Sequence, residues 1–377
     1  MKIISKGKIE FTGYYIKMKP VVFVLFFFML MFLSGSMWAS ESKEKDNGKF
    51  NPGEMIIEHV IDSHEWHIAE IGGKSISIPL PVILFYNGNL DVFCSSRFEH
   101  GNASYKGYKI ETEGENKNKI VRVKGETMES DKTASLPLDL SITKNVMSLF
   151  ISILLLCWIF ISVANSYKRN PNKAPKGLQS FMEPLILFVR DDIAKPSIGE
   201  HRYEKYMPFL LSVFFFIFMN NLLGIVPFFP GGANLTGNIA TTMTLAVFTF
   251  VITSFTGTKN YWLHIINTPG VPWWLKIPVP LMPIVEIMGV FTKPFVLMVR
   301  LFANMLAGHI IVLGFMSLIF IFGAINLYVG YSVSVVSVGF SIFMGLLEIL
   351  VAFLQAYVFT LLSALYFGMA KVSEHEH

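Results

Sequence analysis

Charged side chains are scarce in this sequence. Asp, Glu, Lys and Arg make up 15% of its 377 residues, against about 25% in an ordinary soluble domain. The shortage excludes a well-solvated globular chain and a charge-rich disordered one. Cysteine is nearly missing as well: Cys94 lies in a polar region and Cys157 inside an apolar run. A disulfide framework or a Cys-ligated metal site therefore has nothing to build on. Apolar bulk fills the composition instead, 53% hydrophobic with 35 Phe and 19 Met. Much of it is collected into runs near the ~20 residues that cross a hydrocarbon core of about 30 Å. The fold class is an all-α polytopic membrane protein embedded in a lipid bilayer. The net charge of +4 says little by itself, because the position of basic residues matters more than their sum. No nucleic-acid partner is expected.

Residues 1–39 open basic, continue through the apolar stretch Pro20–Leu33 and leave through small residues at Ser34–Ser40. They read as a signal peptide or an N-terminal anchor. Residues 40–143 are polar, with short β-like patches such as Ser75-Ile-Ser-Ile and Ile120-Val-Arg-Val between Asn-Gly and Gly-rich turns. They read as a small extracytoplasmic domain, α+β or β-rich. His59, His64 and His67, near Asp62 and Glu65, match no strong metal-ligand spacing and are taken as surface or packing histidines. Gly73-Lys-Ser imitates a phosphate loop, but Ile68 stands where the first glycine would have to be. No nucleotide site, catalytic site or cofactor is expected on this chain.

Residues 144–371 hold five apolar spans: Val146–Ala164, Met207–Phe229, Asn238–Thr256, Leu281–Phe322 and Ser332–Met369. The last two would be about 63 and 57 Å long as helices, twice the core thickness. Neither has a turn-forming cluster at its middle, so two long, steeply tilted helices are expected, with turns at 230–237 and 323–331. Leu178–Val189 has apolar residues at helical spacing and reads as an amphipathic helix on the membrane surface. Trp262, Trp273 and Trp274 suit an interfacial loop. Eight Lys/Arg fall in 165–206, two in 257–280 and one in the tail 372–377 with its preceding residue, whereas the two turns carry none. Such a bias places the basic loops and the C-terminus in the cytoplasm and the N-terminal domain outside, in a bacterial inner membrane.

One stretch inside these runs is costly. Arg300, Lys293, Asn304 and His309 all fall within Leu281–Phe322. An arginine at bilayer depth costs about 2.5–3.5 kcal/mol on insertion scales, so a chain that keeps one usually uses it. At 100° per residue Glu286, Lys293 and Asn304 lie within about 40° of Arg300, and His309 about 180° away. On the last span Glu348 and Gln355, seven apart, share a face. If the two helices run antiparallel with Arg300 level with Gln355, His309 reaches the depth of Glu348. That set would make two polar paths meeting at one fixed positive charge, with His309–Glu348 as a proton relay. Each polar group could also serve only as an interhelical tie, but a set ordered by depth around one arginine favours translocation.

The run Arg300-Leu-Phe-Ala-Asn304-Met-Leu-Ala-Gly-His309 closely resembles the signature of subunit a of F-type ATP synthases. Asn221-Leu-Leu-Gly-Ile-Val-Pro227, Asn238-Ile-Ala-Thr-Thr-Met-Thr-Leu-Ala246 and Leu354-Gln355-Ala-Tyr-Val-Phe-Thr-Leu-Leu362 resemble the same family. The resemblance spans about residues 145–370. It implies an ion-translocating stator subunit whose arginine faces a rotating c-subunit ring and separates two proton half-channels. The remaining partners it implies are the peripheral-stalk subunit b and the rest of the synthase. It also implies that Glu286 lines the inner path, that Asn304, His309, Glu348 and Gln355 belong to the outer path and the arginine's surroundings, and that Asn238 lies among the ion-translocation residues. His309 and Glu348 look exchanged relative to family members with Glu and His at these places. Gly289 stands where a hydroxyl is common. A stand-alone ion-coupled secondary transporter is the competing reading; it expects internal repeats with paired broken helices, and the first three spans do not repeat in the last two.

Overall fold

The computed structural model describes residues 52–53, 56–57, 61–71, 74–111, 116–124, 129–131, 134–169, 174–226, 231–266 and 281–370. The proposed signal segment, His59, Trp273, Trp274 and the tail 372–377 lie outside them.

The N-terminal part is β-rich. Strand β1 (Glu65–Ile71) pairs antiparallel with β2 (Lys74–Pro79). Strands β3 (Pro81–Tyr86) and β4 (Asn89–Cys94) form a hairpin closed by Asn87 and Gly88, both at positive φ, which is what a two-residue primed turn requires. Strand β5 (Tyr108–Ile110) pairs with β6 (Ile120–Arg122), and β7 (Leu138–Asp139) adds to the other edge of β3. Alternation along β3 sends Val82 and Leu84 inward to a small core with Phe98, Tyr108 and Ile120. The alternation is the period-2 signature of a half-buried strand.

Five helices are long and apolar enough to cross a membrane. They are α1 (Lys144–Arg169), α4 (Tyr203–Ile225), α5 (Ile239–Thr256), α7 (Leu281–Ile325) and α8 (Leu327–Met369). Between α1 and α4 lie α2 (Leu178–Phe188), a π-helical stretch at Val189–Ala194 and the single turn α3 (Lys195–Ile198); α6 (Lys259–Ile266) follows α5. The segment read as a membrane-surface helix is thus longer than its amphipathic pattern, and its buried Val189, Ile193 and Ala194 join the main helical core. It reaches the end of α8, where a Cβ on Gly368 would collide with the carbonyl oxygen of Ser197. Glycine is needed there for that close approach.

Helix α7 runs for 45 residues and α8 for 43, about 67 and 65 Å at 1.5 Å per residue. The turn expected at 323–331 is far shorter: Asn326 alone separates the helices, and its side chain caps α8 by accepting from the Tyr328 N–H at 2.9 Å. The reversal is tight because Gly330 packs on Gly323, 2.7 Å from the nearest atom to where a Cβ would be. From there the helices run antiparallel. Phe315 stacks on Phe340 with 5.3 Å between ring centroids, Glu348 lies beside Gly308 and His309, and the Lys293 ammonium sits 5.5 Å over the Tyr366 ring. Helix α4 crosses the same partner in the opposite sense, Tyr206 stacking on Phe367 and Asn221 donating to the Ala352 carbonyl at 3.4 Å.

Candidate functional site

The site is built on the α7–α8 pair. Leu297, Leu301 and Met305, one turn apart, are buried and hold α7 against the bundle. Arg300 and Asn304 sit on a different side of the helix and are exposed, together with Val296, Val299, Ala303, Ala307, Ile310 and Ile311. Glu286 and Lys293, on the same stripe, are half-buried. The stripe therefore faces away from the chain's own core. Among the described residues Arg300 makes no hydrogen bond and no ion pair, although it lies near enough to Tyr366 to act on it electrostatically. A guanidinium on an apolar face is costly without an anion, and among the described residues none stands against this one.

The remaining polar residues divide by depth. Toward the start of α7, Glu286 acts electrostatically on Tyr261 of α6, and Lys293 meets Tyr366. Lys293 and Tyr366 line a shallow cleft with Thr253, Ser254 and Tyr261. Beyond Arg300, His309 Nδ1 lies 4.0 Å from Glu348 Oε1. Gly308 makes that place, since a Cβ there would be 2.5 Å from Glu348 Oε1, while the Cβ position of Gly224 lies in ordinary contact distance of His309 Nε2, 3.5 Å. Gln355 is buried on α8, and interpolation between the observed contacts sets Arg300 opposite Tyr357–Val358, within one turn of Gln355.

Asn238 stands apart from this set. Its side-chain oxygen accepts from the Ala240 N–H at 2.9 Å and caps α5, so its carbonyl is committed to the helix start. Asn221 is a tie as well, receiving the Thr236 hydroxyl at 2.6 Å while donating to α8. Sequence reasoning missed Tyr366 and Tyr261, whose aromatic character within or beside apolar runs carries no polar signal. It also missed Gly224 and Gly308, although both fall in the quoted motif stretches.

Among the described residues no group of three or more His, Cys, Asp or Glu could hold a metal ion. His64 instead contacts Asp139 Oδ2 through Nε2 at 2.7 Å. Both cysteines are free and exposed.

A five-span membrane protein with an exposed arginine on the open face of an antiparallel helix pair is the class these observations define. The family model described as ATP synthase A chain matches residues 146–368, and a second, described as a domain of unknown function, matches residues 55–140. ATP synthase subunit a of Chloroherpeton thalassium is 47% identical over 243 residues, covering 63% of this chain and 68% of the relative. The subunit a of Chlorobium phaeobacteroides strain BS1 is 50% identical over 246 residues, with 63% and 68% covered. That of Myxococcus xanthus is 45% identical over 246 residues, with 64% and 76% covered. The chain belongs to the ATP synthase subunit a family.

Proposed function

We propose that this chain is the ion-translocating stator subunit of a rotary F-type ATP synthase, with Arg300 separating two proton half-channels against a ring of c subunits. The observation that carries the reading is the unpaired Arg300 on the exposed stripe of α7. A ring carboxylate arriving there is held ionised by the opposite charge. The fixed cation also repels a proton trying to pass directly between the paths. Arginine suits the task because it stays charged when desolvated.

On one side of Arg300, Glu286, Lys293 and the hydroxyl-lined cleft supply polar groups toward the cytoplasm. Tyr261, Thr253, Ser254 and Tyr366 stand in for the hydroxyl lacking at Gly289. On the other side, His309 and Glu348 form an acid–base pair that exchanges protons with the outer aqueous space. Asn304 and Gln355 flank the arginine. Asn238 acts through the helix it caps.

The orientation rests on charge. The starts of α4 and α6 and the end of α8 meet at one end of the bundle, through Tyr206–Phe367 and the Thr258 N–H to the Ala370 carbonyl at 2.9 Å. The neighbouring segments hold Lys195, Arg202, Lys205 and Lys259, and the positive-inside bias makes this the cytoplasmic end. Residues 40–143 then lie outside, in the reading where 1–39 serve as signal peptide or anchor. In this reading the nucleotide chemistry belongs to the catalytic sector, which with subunit b completes the machine. Each charge crossing 100 mV releases about 2.3 kcal/mol, so several per turn can drive synthesis elsewhere.

Replacing Arg300 with Ala should abolish ATP-driven acidification of inverted membrane vesicles while ATP hydrolysis by the peripheral sector persists. Normal acidification by that variant would overturn the reading.

A further inference from the structure

The strands of the β-rich region present an apolar face that no helix among the described residues covers. Along β3, Val82 and Leu84 point to the core, so Pro81, Ile83 and Phe85 point away. Pairing brings their neighbours into register: Leu138, Phe85 and Leu90 form one row across the sheet. Leu140, Ile83 and Val92 form the next, because the Leu140 N–H donates to the Ile83 carbonyl. Ile142, Pro81 and Cys94 form the third, the Ile142 N–H donating to the Pro81 carbonyl. Three rows on three strands carry no charged residue. Phe85, Leu90, Val92 and Leu138 are 44–61% exposed. At strand spacings of about 4.8 Å and row spacings of about 6.7 Å the face covers a few hundred Å² with its side chains, the size at which an exposed apolar patch marks an interaction surface.

Charge is segregated to the other side. Asp91, between Leu90 and Val92, turns inward to Lys106 and Tyr108, and the Arg122 guanidinium lies over Tyr86 and Tyr108. The face is also fixed close to the bilayer. Its third row ends at Ile142, two residues before α1 begins at Lys144. The sheet hydrogen bonds reach that row, and Asp62 then clamps the junction, Oδ1 accepting from the Asn145 N–H at 3.0 Å and Oδ2 from the Thr143 hydroxyl at 2.7 Å. An apolar plane thus ends two residues before a membrane span begins, with its charges on the far side.

The geometry points to this face as a membrane-docking surface: the sheet β4-β3-β7 rests its apolar side on the leaflet at which α1 starts. Phe85 and the leucines enter the interfacial layer, as the apolar face of a monotopic element does.

Cys94 provides the test, since it lies in the third row and Cys157 is the only other cysteine. The Cys157→Ser chain, labelled at Cys94 with a bimane thiol reagent, is assembled into the complete complex. The complex is reconstituted in phosphatidylcholine–phosphatidylglycerol vesicles doped with lipid carrying a nitroxide near its headgroup. Loss of bimane fluorescence to the nitroxide lipid, with shielding from aqueous iodide, is expected. A probe at Lys106→Cys, with both native cysteines changed to Ser, should show the reverse. Leu90→Lys with Val92→Lys should turn the Cys94 probe from lipid quenching to iodide quenching. Iodide quenching of the unaltered face would overturn the proposal. So would shielding from both quenchers, which would mean that protein covers it.

Discussion

At the scale of single residues, one glycine shapes the proposed outer path along with the ionisable pair itself. Gly308 leaves room for the Glu348 carboxylate, since a Cβ would sit 2.5 Å from Oε1. The obstructed atom is the free end of a flexible side chain, so Gly308→Ala should fold and assemble normally. It should nevertheless drive the carboxylate away from His309 and slow ATP-driven proton pumping. Glu348→Asp in the same chain, shorter by one methylene, should recover part of the rate. Equal rates in the unaltered and Gly308→Ala complexes would show that the pair's spacing does not matter. A second outcome concerns the pair's chemistry. His309→Ala and Glu348→Ala should each impair pumping, and exchanging the residues, with Glu at 309 and His at 348, should restore some of it. An exchange no better than either alanine variant would count against a relay. The angular positions of these polar residues were legible beforehand, because helical spacing alone sets the angle between Arg300, Glu286, Lys293, Asn304 and His309. The glycine's part was not, because the space a missing Cβ leaves depends on which helix lies opposite.

At the scale of elements, the lengths of α7 and α8 followed from their apolar runs, but the joint between them did not. Phe322–Tyr331 loses hydropathy at Asn326, Gly330 and Tyr331, which imitates a loop. In the fold the same residues make a helix stop, a cap and a glycine–glycine contact. Hydropathy reports the solvent a segment prefers and not whether its backbone remains helical. The π-helical stretch at Val189–Ala194 escaped for a related reason. Arg190, Asp191 and Asp192 read as the end of an amphipathic helix, whereas Arg190 pairs with Asp191 at 2.8 Å, Lys195 joins the same carboxylate at 2.6 Å, and the helix continues. Those cations, Arg190 first, hold the Asp191 carboxyl down to about 2. The cap on α5 yields a prediction at this scale. Asn238→Ala removes the acceptor for the Ala240 N–H, a loss of about 1 kcal/mol at a helix N-terminus. The complex should denature at a lower temperature in a thermal assembly assay, while its pumping rate per assembled complex stays close to normal. A large loss of pumping without a loss of thermal stability would give Asn238 a direct part in translocation instead.

At the scale of the whole molecule, two bodies of different material meet at one junction, and its chemistry sets how firmly they are joined. The first N–H groups of α1 have no partners inside their own helix. Asp62, more than eighty residues earlier in the chain, accepts from the Asn145 N–H and the Thr143 hydroxyl, and the Lys144 N–H donates to the Ser63 carbonyl at 2.9 Å. Asp139 adds the next tie, holding His64 Nε2 at 2.7 Å and the Ser141 N–H at 2.9 Å. Burial pushes the Asp139 carboxyl up, but the hydrogen bonds and charge of His64, with the bonds from Ser141, outweigh it and leave the carboxyl below its ordinary range. A carboxyl depressed in the folded state stabilises the fold fully above its unfolded pKa of about 3.9, and that contribution fades as pH falls through the lower folded value. Residues 61–143 should therefore resist pepsin in the reconstituted complex at pH 5 and lose that protection progressively below pH about 4. Asp139→Asn should begin less protected at pH 5 and change less on acidification, because the titrating tie is gone. ATP-driven pumping near neutral pH should be untouched, since the tie belongs to the junction and not to the stripe around Arg300. Superimposable digestion profiles for the two chains would mean that the His64–Asp139 contact contributes nothing to the joint. A fall in pumping would mean that the junction and the translocation path are coupled.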